Sequence, residues 1–263
     1  MKAVTGIFPN ADEAQRAIEV LHLNGVSSDR ITLLTPGDGR KALQSVPLDS
    51  TEQPGMGKVM GAVLGGASGL SAGGLLVAAM IPGVGPVTAA GLLGAAVLGA
   101  AGASVGAVAG SSLENSMTEG LPEDEIFVYE DALRKGRAVL IVLIENDEAE
   151  RHVRKLLKSN GAEAVDAARQ QWWIGLRSAE LEHYSTSGRS FHDDEKFYRI
   201  GFEAALHART RCMEFDQMTA EMEARLEELQ KQYPGVDVAE PFTRGYRRGR
   251  DYYQHLCEES KAA

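Results

Sequence analysis

Between residues 59 and 113 the chain has no charged side chain and no aromatic one. A stretch of that length has to be buried, in lipid or in protein, because water penalises every aliphatic group left exposed. Cysteine is also scarce. Cys212 and Cys257 are the only two, they lie in a region of helical pattern, and no Cys-x-x-Cys spacing occurs. That excludes a disulfide framework and a cysteine zinc site and fits a reducing compartment. Basic residues are in deficit, with 27 Lys and Arg against 37 Asp and Glu for a net charge of −10. Nucleic acid is therefore not an expected partner, because sequence-independent binding needs cationic neutralisation of phosphates, and a polybasic lipid-binding surface is excluded on the same ground. The opening residues hold no apolar signal core, so secretion is not expected. No nucleophile, base and orienting group stand in a recognised pattern, so neither catalytic nor cofactor-binding residues are assigned.

What the uncharged segment does contain is small residues at four-residue spacing. Gly57, Gly61, Gly65, Gly69 and Gly73 form one series. After a Pro-Gly turn at 82–86 a second runs Gly94, Gly102, Gly106, Gly110, with Leu98 at the gap. Read as helices, residues 59–81 span roughly 34 Å and residues 87–113 roughly 40 Å, either of which exceeds a hydrocarbon core of about 30 Å. Glycines four apart share a helix face and let backbones approach closely, so these nine are the expected helix-packing interface. The sequence thus predicts a glycine-zipper helical hairpin over 56–113. Two settings fit it. One is the inner membrane, with both hairpin ends on the cytoplasmic side and the lipid bilayer as partner. The other is a cytoplasmic homo-oligomer whose pooled hairpins form an apolar chamber able to hold lipid or quinone. No Trp, Tyr or Lys/Arg cluster flanks the hairpin, Lys58 alone being near, and that absence weakens the membrane setting.

The flanks read as soluble structure. Residues 2–8 form a short strand. Asn10 or Asp12 caps a helix carrying Ala14, Ala17, Ile18 and Leu21 to a stop at Gly25, and 31–34 is a second strand. Beyond the insert, 139–144 is the strongest strand. Asp147 caps a helix carrying Ala149, Val153, Leu156 and Leu157 to a stop at Gly161, and 162–165 ends the pattern. Each half closes its helix with Asn-Gly, at Asn24-Gly25 and Asn160-Gly161. Cutting out the insert leaves β-α-β twice, the ferredoxin-like order. The expected class is therefore α+β: one ferredoxin-like domain whose halves, 1–55 and 114–168, are split by the hairpin, followed by a linker at 169–190 and a helical tail at 191–263.

The opening Val4-Thr-Gly-Ile-Phe-Pro-Asn-Ala-Asp-Glu-Ala14 resembles the start of bacterial heat-induced general stress proteins. Gly136-Arg-Ala-Val-Leu-Ile-Val-Leu143, followed by Asp147-Glu-Ala-Glu150, is similar to them too. The same residues resemble a group of uncharacterised bacterial membrane proteins in which a glycine-rich hairpin interrupts such a domain. The resemblance covers about residues 1–168. It implies a stress-linked, membrane-associated, non-enzymatic protein and carries no catalytic residue with it.

In the tail, Phe197-Tyr-Arg-Ile-Gly-Phe202 returns 44 residues on as Pro241-Phe-Thr-Arg-Gly-Tyr246. Between them Met218, Met222, Leu226 and Leu229 keep near-heptad spacing up to a stop at Tyr233-Pro-Gly235. Three helices are expected, with aromatics packing where glycine lets backbones meet.

The candidate sites have competing readings. His183, His192, Asp193, Asp194, Glu195 and His207 are the densest set of potential metal ligands, yet residues 192–195 also read as an acidic helix N-terminus, which the helix dipole favours. No three His or Cys residues have zinc spacing, so no metal is assigned. Residues 55–61 look superficially like a phosphate loop, but no hydroxyl follows Lys58 and the glycines fit the four-residue series. Trp172 and Trp173 fit either a membrane-interface anchor or packing between domains. Arg244, Arg247, Arg248 and Arg250 fit either lipid phosphates or a solvated helix face. Cys212 and Cys257 read as small core hydrophobes.

Overall fold

The structure, a computed structural model, describes residues 2–37, 76–81, 83–91, 93–100, 123–185, 188–208, 211 and 215–262. They fall into two compact units, one of Met1–Pro122 with Val128–Ala168 and the other of Glu123–Phe127 with Arg169–Ala263. The strands are β1 (Lys2–Phe8), β2 (Ile31–Pro36), β3 (Leu76–Ile81), β4 (Gly85–Ala90), β5 (Ala138–Ile144) and β6 (Glu163–Ala164). The helices are α1 (Ala11–Leu23), α2 (Gly94–Ala100), α3 (Ile126–Arg134), α4 (Asp147–Ser159), α5 (Val165–Ser185), α6 (Phe191–Ala205), α7 (Phe215–Gln232) and α8 (Ala239–Ala262).

The first unit is a mixed α/β body on one antiparallel sheet of order β3-β4-β2-β5-β1-β6. Its helices begin and end where side-chain chemistry dictates. Asn10 accepts from the Glu13 amide and Asn146 from the Ala149 amide, both at 2.9 Å, satisfying donors that a helix start leaves orphaned. The second cap corrects the sequence reading, which placed it at Asp147. Both helices end at an Asn followed by a glycine of positive φ, Gly25 (+84°) and Gly161 (+89°), a conformation that costs a glycine little.

The sheet has two faces, and both are covered over β1, β2 and β5. On the first, Val4, Phe8, Ile31, Leu33, Leu140 and Val142 pack against Ala14, Ile18 and Leu21 of α1 and Val153 and Leu157 of α4. Strand register fixes the second face. Val4 pairs with Val142 and Thr5 with Ile141, so the alternate residues Ile7, Leu34, Val139 and Ile141 point the other way, and all four are buried. Tyr129 of α3 reaches that face and shares a 2.9 Å hydrogen bond with Thr5. α2 lies over β2, β3 and β4 there, with Leu93, Val97 and Leu98 buried.

This arrangement corrects the helical hairpin. Residues 76–81 and 85–90 are not membrane or zipper helices but a β-hairpin that widens the sheet, and the helix described after it covers Gly94–Ala100. A buried strand and a buried helix have the same apolar composition, and the chain turns back at glycines of positive φ at 83 and 85. Among the described residues no helix is long and apolar enough to cross a membrane.

The second unit is helical. Residues 169–185, read as linker, continue α5 through Ser185. Positions 172, 173, 180 and 184 of this helix are buried at helical spacing. α6 and α8 pack closely, and the Phe197, Val238, Phe242 and Tyr246 side chains share a core with Met222, Leu226 and Leu229 of α7. The side chain of Met218 lies outside the described residues.

Candidate functional site

The β3–β4 hairpin and α2 are the parts of the uncharged segment that the structure describes, and the hairpin is tied down by polar bonds at its turn and its inner edge. Arg134 of α3 donates to the Gly83 carbonyl (2.5 Å), and the Val84 amide closes the turn on Ile81 (3.1 Å). The Gly37 amide donates to Pro86 (2.6 Å), the Thr88 hydroxyl to Gly37 (3.1 Å), and the Leu93 amide to the Thr32 hydroxyl (3.1 Å). A side chain at Gly91 would collide with the Ile31 carbonyl, so the chain leaves β4 at a point open only to glycine.

The bond from Gly37 also sets the phase of the hairpin. The Pro86 carbonyl points to β2, so in an antiparallel ladder Gly85, Val87 and Ala89 turn their backbone groups towards β3. Their partners are Ile81, Ala79 and Val77. The backbone groups of residues 76, 78 and 80 therefore point outward, along an edge that no other described strand occupies. Ile81 is buried on the second face, while Met80, on the first, is 54% exposed.

Of the nine glycines assigned to a helix-packing interface, Gly57, Gly61, Gly65, Gly69, Gly73, Gly102, Gly106 and Gly110 lie outside the described residues, as does the phosphate-loop look-alike at 55–61. Gly94 is described, and it packs on a strand. A Cβ there would come within 2.8 Å of the Ala89 Cβ, so its missing side chain lets α2 settle on β4. Close helix–helix approach does occur, but in the second unit. A Cβ on Gly201 would collide with the Phe242 carbonyl, one on Gly245 with that of Tyr198, and one on Gly249 with that of Phe202 at 2.5 Å.

Trp172 and Trp173 are 4% and 2% exposed, held against Phe127 and Phe202 with ring centroids 4.8 and 5.9 Å apart. Both indoles are thus enclosed by side chains of the helical unit. The acidic cluster of the tail is likewise committed inside the unit. Ser190 caps α6, so residues 193 and 194 stand in its first turn. Asp194 accepts from the Tyr184 hydroxyl (2.7 Å) and from Arg189 (2.7 and 3.1 Å), which also reaches Asp237 (2.8 Å). Glu195 accepts both arms of Arg177 (2.8 and 2.7 Å) and the Trp173 ring N–H (2.9 Å).

Electrostatics follow from these bonds. Arg189 holds the Asp194 carboxyl below its ordinary range, and Arg177, with Trp173 assisting, does the same for Glu195. Burial, aided by Asp194, pushes the Tyr184 phenol up to about 12, and burial with Glu180 pushes Tyr198 further still. Among the described residues no three His, Cys, Asp or Glu side chains are grouped to hold a metal ion. Of the arginine cluster, Arg244 pairs with Glu240 (2.6 Å) and Arg248 with Glu180 (3.1 Å). Cys257 is half-buried and not in a disulfide, and Cys212 lies outside the described residues.

Sequence reasoning missed one set of residues altogether. Glu180, 1% exposed, is gripped by Arg248 and accepts from the Tyr198 hydroxyl at 2.7 Å, joining α5, α6 and α8. The available signal was a charged residue standing seven positions from Trp173 on the buried stripe of α5. Compared with known protein families, characterised proteins and solved structures, the chain matches none.

Proposed function

We propose that this chain is a non-enzymatic assembly protein with a ferredoxin-like core, in which the uncharged segment serves protein packing rather than lipid. The observation that carries the reading is the use made of residues 76–100: a hairpin added to the sheet and a helix covering the sheet's second face. The core order β2-β5-β1-β6, with two β-α-β halves, supports the ferredoxin-like assignment. The likeness of residues 1–168 to heat-induced general stress proteins supports a stress-linked setting. A membrane anchor is less well supported. Taking β3 out of the first apolar stretch leaves residues 59–75, roughly 25 Å as a helix, against a hydrocarbon core of about 30 Å. The acidic balance supports protein rather than nucleic acid as partner.

The test is to wash membranes of expressing cells with carbonate and measure the mass of the native particle. The proposal expects release from membranes and a particle heavier than one 28.2 kDa chain. Retention by washed membranes restores the anchor, and a strict monomer removes assembly.

A further inference from the structure

We infer that the outer edge of β3 is a self-association site, where β3 of one molecule pairs antiparallel with β3 of a second across a two-fold axis. The inference rests on the assembly reading above and names the surface responsible.

Four observations carry it. First, the ladder phase directs the amides and carbonyls of residues 76, 78 and 80 away from β4, and among the described residues no strand meets this row, which a further strand would pair. Second, the two edges of the sheet are built differently. β6 is two residues long, and its Glu163 pairs with Arg137 at 2.5 Å, so that edge is short and charged. β3 is six residues, Leu-Val-Ala-Ala-Met-Ile, with no charge and no proline. Proteins ordinarily protect such edges with lysine, proline or a bulge, and an edge without them is a template for another strand.

Third, the strand is compatible with its own copy. In antiparallel pairing, opposed residues share a face and a hydrogen-bonding phase, so a two-fold on residue 78 sets 78 against 78, 76 against 80 and 77 against 79. Every pair is apolar, alanine stands on the axis, and no like charges meet although the chain carries −10 overall. Fourth, Met80, 54% exposed on a half-buried sheet, lies beside this edge, where a second copy would cover it. A second copy is the fitting occupant because each molecule brings the same uncharged edge to the same isologous contact. Paired six-residue strands are a small interface beside the ~1,600 Å² of a standard one, so the association depends on concentration.

Sedimentation of the full chain over about 1–100 μM tests this, with wild type, Ala78→Pro and Met80→Lys compared and folding checked by circular dichroism. Ala78→Pro removes an outward N–H and leaves the β3–β4 ladder whole. Each variant is expected to raise the dissociation constant at least about tenfold with the fold unchanged. Should Ala78→Pro unfold the protein, Met80→Lys reads the edge alone. A second arm uses Ala78→Cys with Cys212 and Cys257 changed to Ser. Residues facing across the axis sit about 5.5 Å apart, within disulfide reach, so oxidation is expected to give a covalent dimer. Met80→Cys in the same background faces residue 76 and is not expected to link. A wild type that is monomeric throughout overturns both this inference and the assembly reading. An oligomer indifferent to both edge variants, and not linked through residue 78, overturns the inference alone.

Discussion

Gly201 and Gly245 hold each other's helix at backbone contact. A Cβ on the first would strike the carbonyl of Phe242 on α8, and one on the second would strike the carbonyl of Tyr198 on α6. The relation is reciprocal because Tyr198 and Phe242 stand at the same place in the two copies of the aromatic repeat, each three residues before its glycine. The further pairing of Gly249 with Phe202 and Ala205 runs in the same direction, so the two helices lie parallel. The repeat noted in the sequence is thus a matched pair of helix-packing surfaces.

The consequence for stability is directional. Gly201→Ala and Gly245→Ala are each expected to destabilise the helical unit by about 1–3 kcal/mol, because the helices must separate to admit a methyl group. Gly175→Ala, at an exposed helical glycine with nothing within 4 Å, is expected to stabilise by about 0.5–1 kcal/mol through helix propensity alone. Urea unfolding followed by tryptophan fluorescence checks both, since Trp172 and Trp173 report on this unit. Equal midpoints for the three variants would sink the close-packing account.

Glu180 provides a second test. Glu180→Ala leaves the Arg248 guanidinium and a buried phenol without their partner, at an expected cost of about 3–5 kcal/mol. Tyr198→Phe removes one hydrogen bond and is expected to cost about 1–2 kcal/mol. In a double-mutant cycle the two losses are expected to fall short of additive, since they share a bond. Simple additivity would show that Tyr198 and Glu180 are not coupled.

The pH dependence has a defined sign. Asp194 is depressed in the folded state, chiefly by its bond to Arg189, so its contribution is complete above the ordinary carboxylate pKa of about 4 and fades as pH falls through the folded value. Asp194→Asn should flatten the acid limb of a stability–pH profile. Tyr184 works in the opposite direction. Its phenol, raised to about 12, adds stability that is whole below pH 10 and lost as pH climbs through 12. Chemical denaturation across the pH range reads both limbs, and an acid limb unchanged in Asp194→Asn would discount the ion pair.

Arg134 is expected to govern the order of the hairpin. Removing its side chain releases the Gly83 carbonyl, so Arg134→Ala should lower amide-exchange protection across 76–90 by about 1 kcal/mol while β1 and β5 keep theirs. Uniform loss over the whole sheet would mean that Arg134 supports the fold generally.

The parts legible in the sequence were those with local punctuation. Asn10, Asn24-Gly25 and Asn160-Gly161 mark helix ends through their own backbone chemistry, and Val139 to Ile144 is apolar enough to be a central strand in any setting. Residues 76–90 lack that punctuation. They alternate neither in polarity nor in size, so period alone does not separate a buried strand from an apolar helix, and the Pro-Gly turn serves either. α5 was obscured differently. Glu180 interrupts its apolar stripe, where an ion pair replaces a hydrophobe, and Gly175, at an exposed position, is a poor helix former. The polar network escaped notice because its members come from helices far apart in the chain.

The central strand arrives late. β5 sits between β1 and β2, yet residue 138 pairs with residue 8 and residue 139 with residue 34, so the earlier strands wait 130 and 105 residues for their shared neighbour. Pairings this distant close slowly. The β3–β4 hairpin, joined by a tight local turn, can form long before and meanwhile shows its uncharged edge to everything around it. The molecule is thus most vulnerable while it is being made. Its yield should follow growth temperature and chaperone supply more closely than the melting point of the finished product.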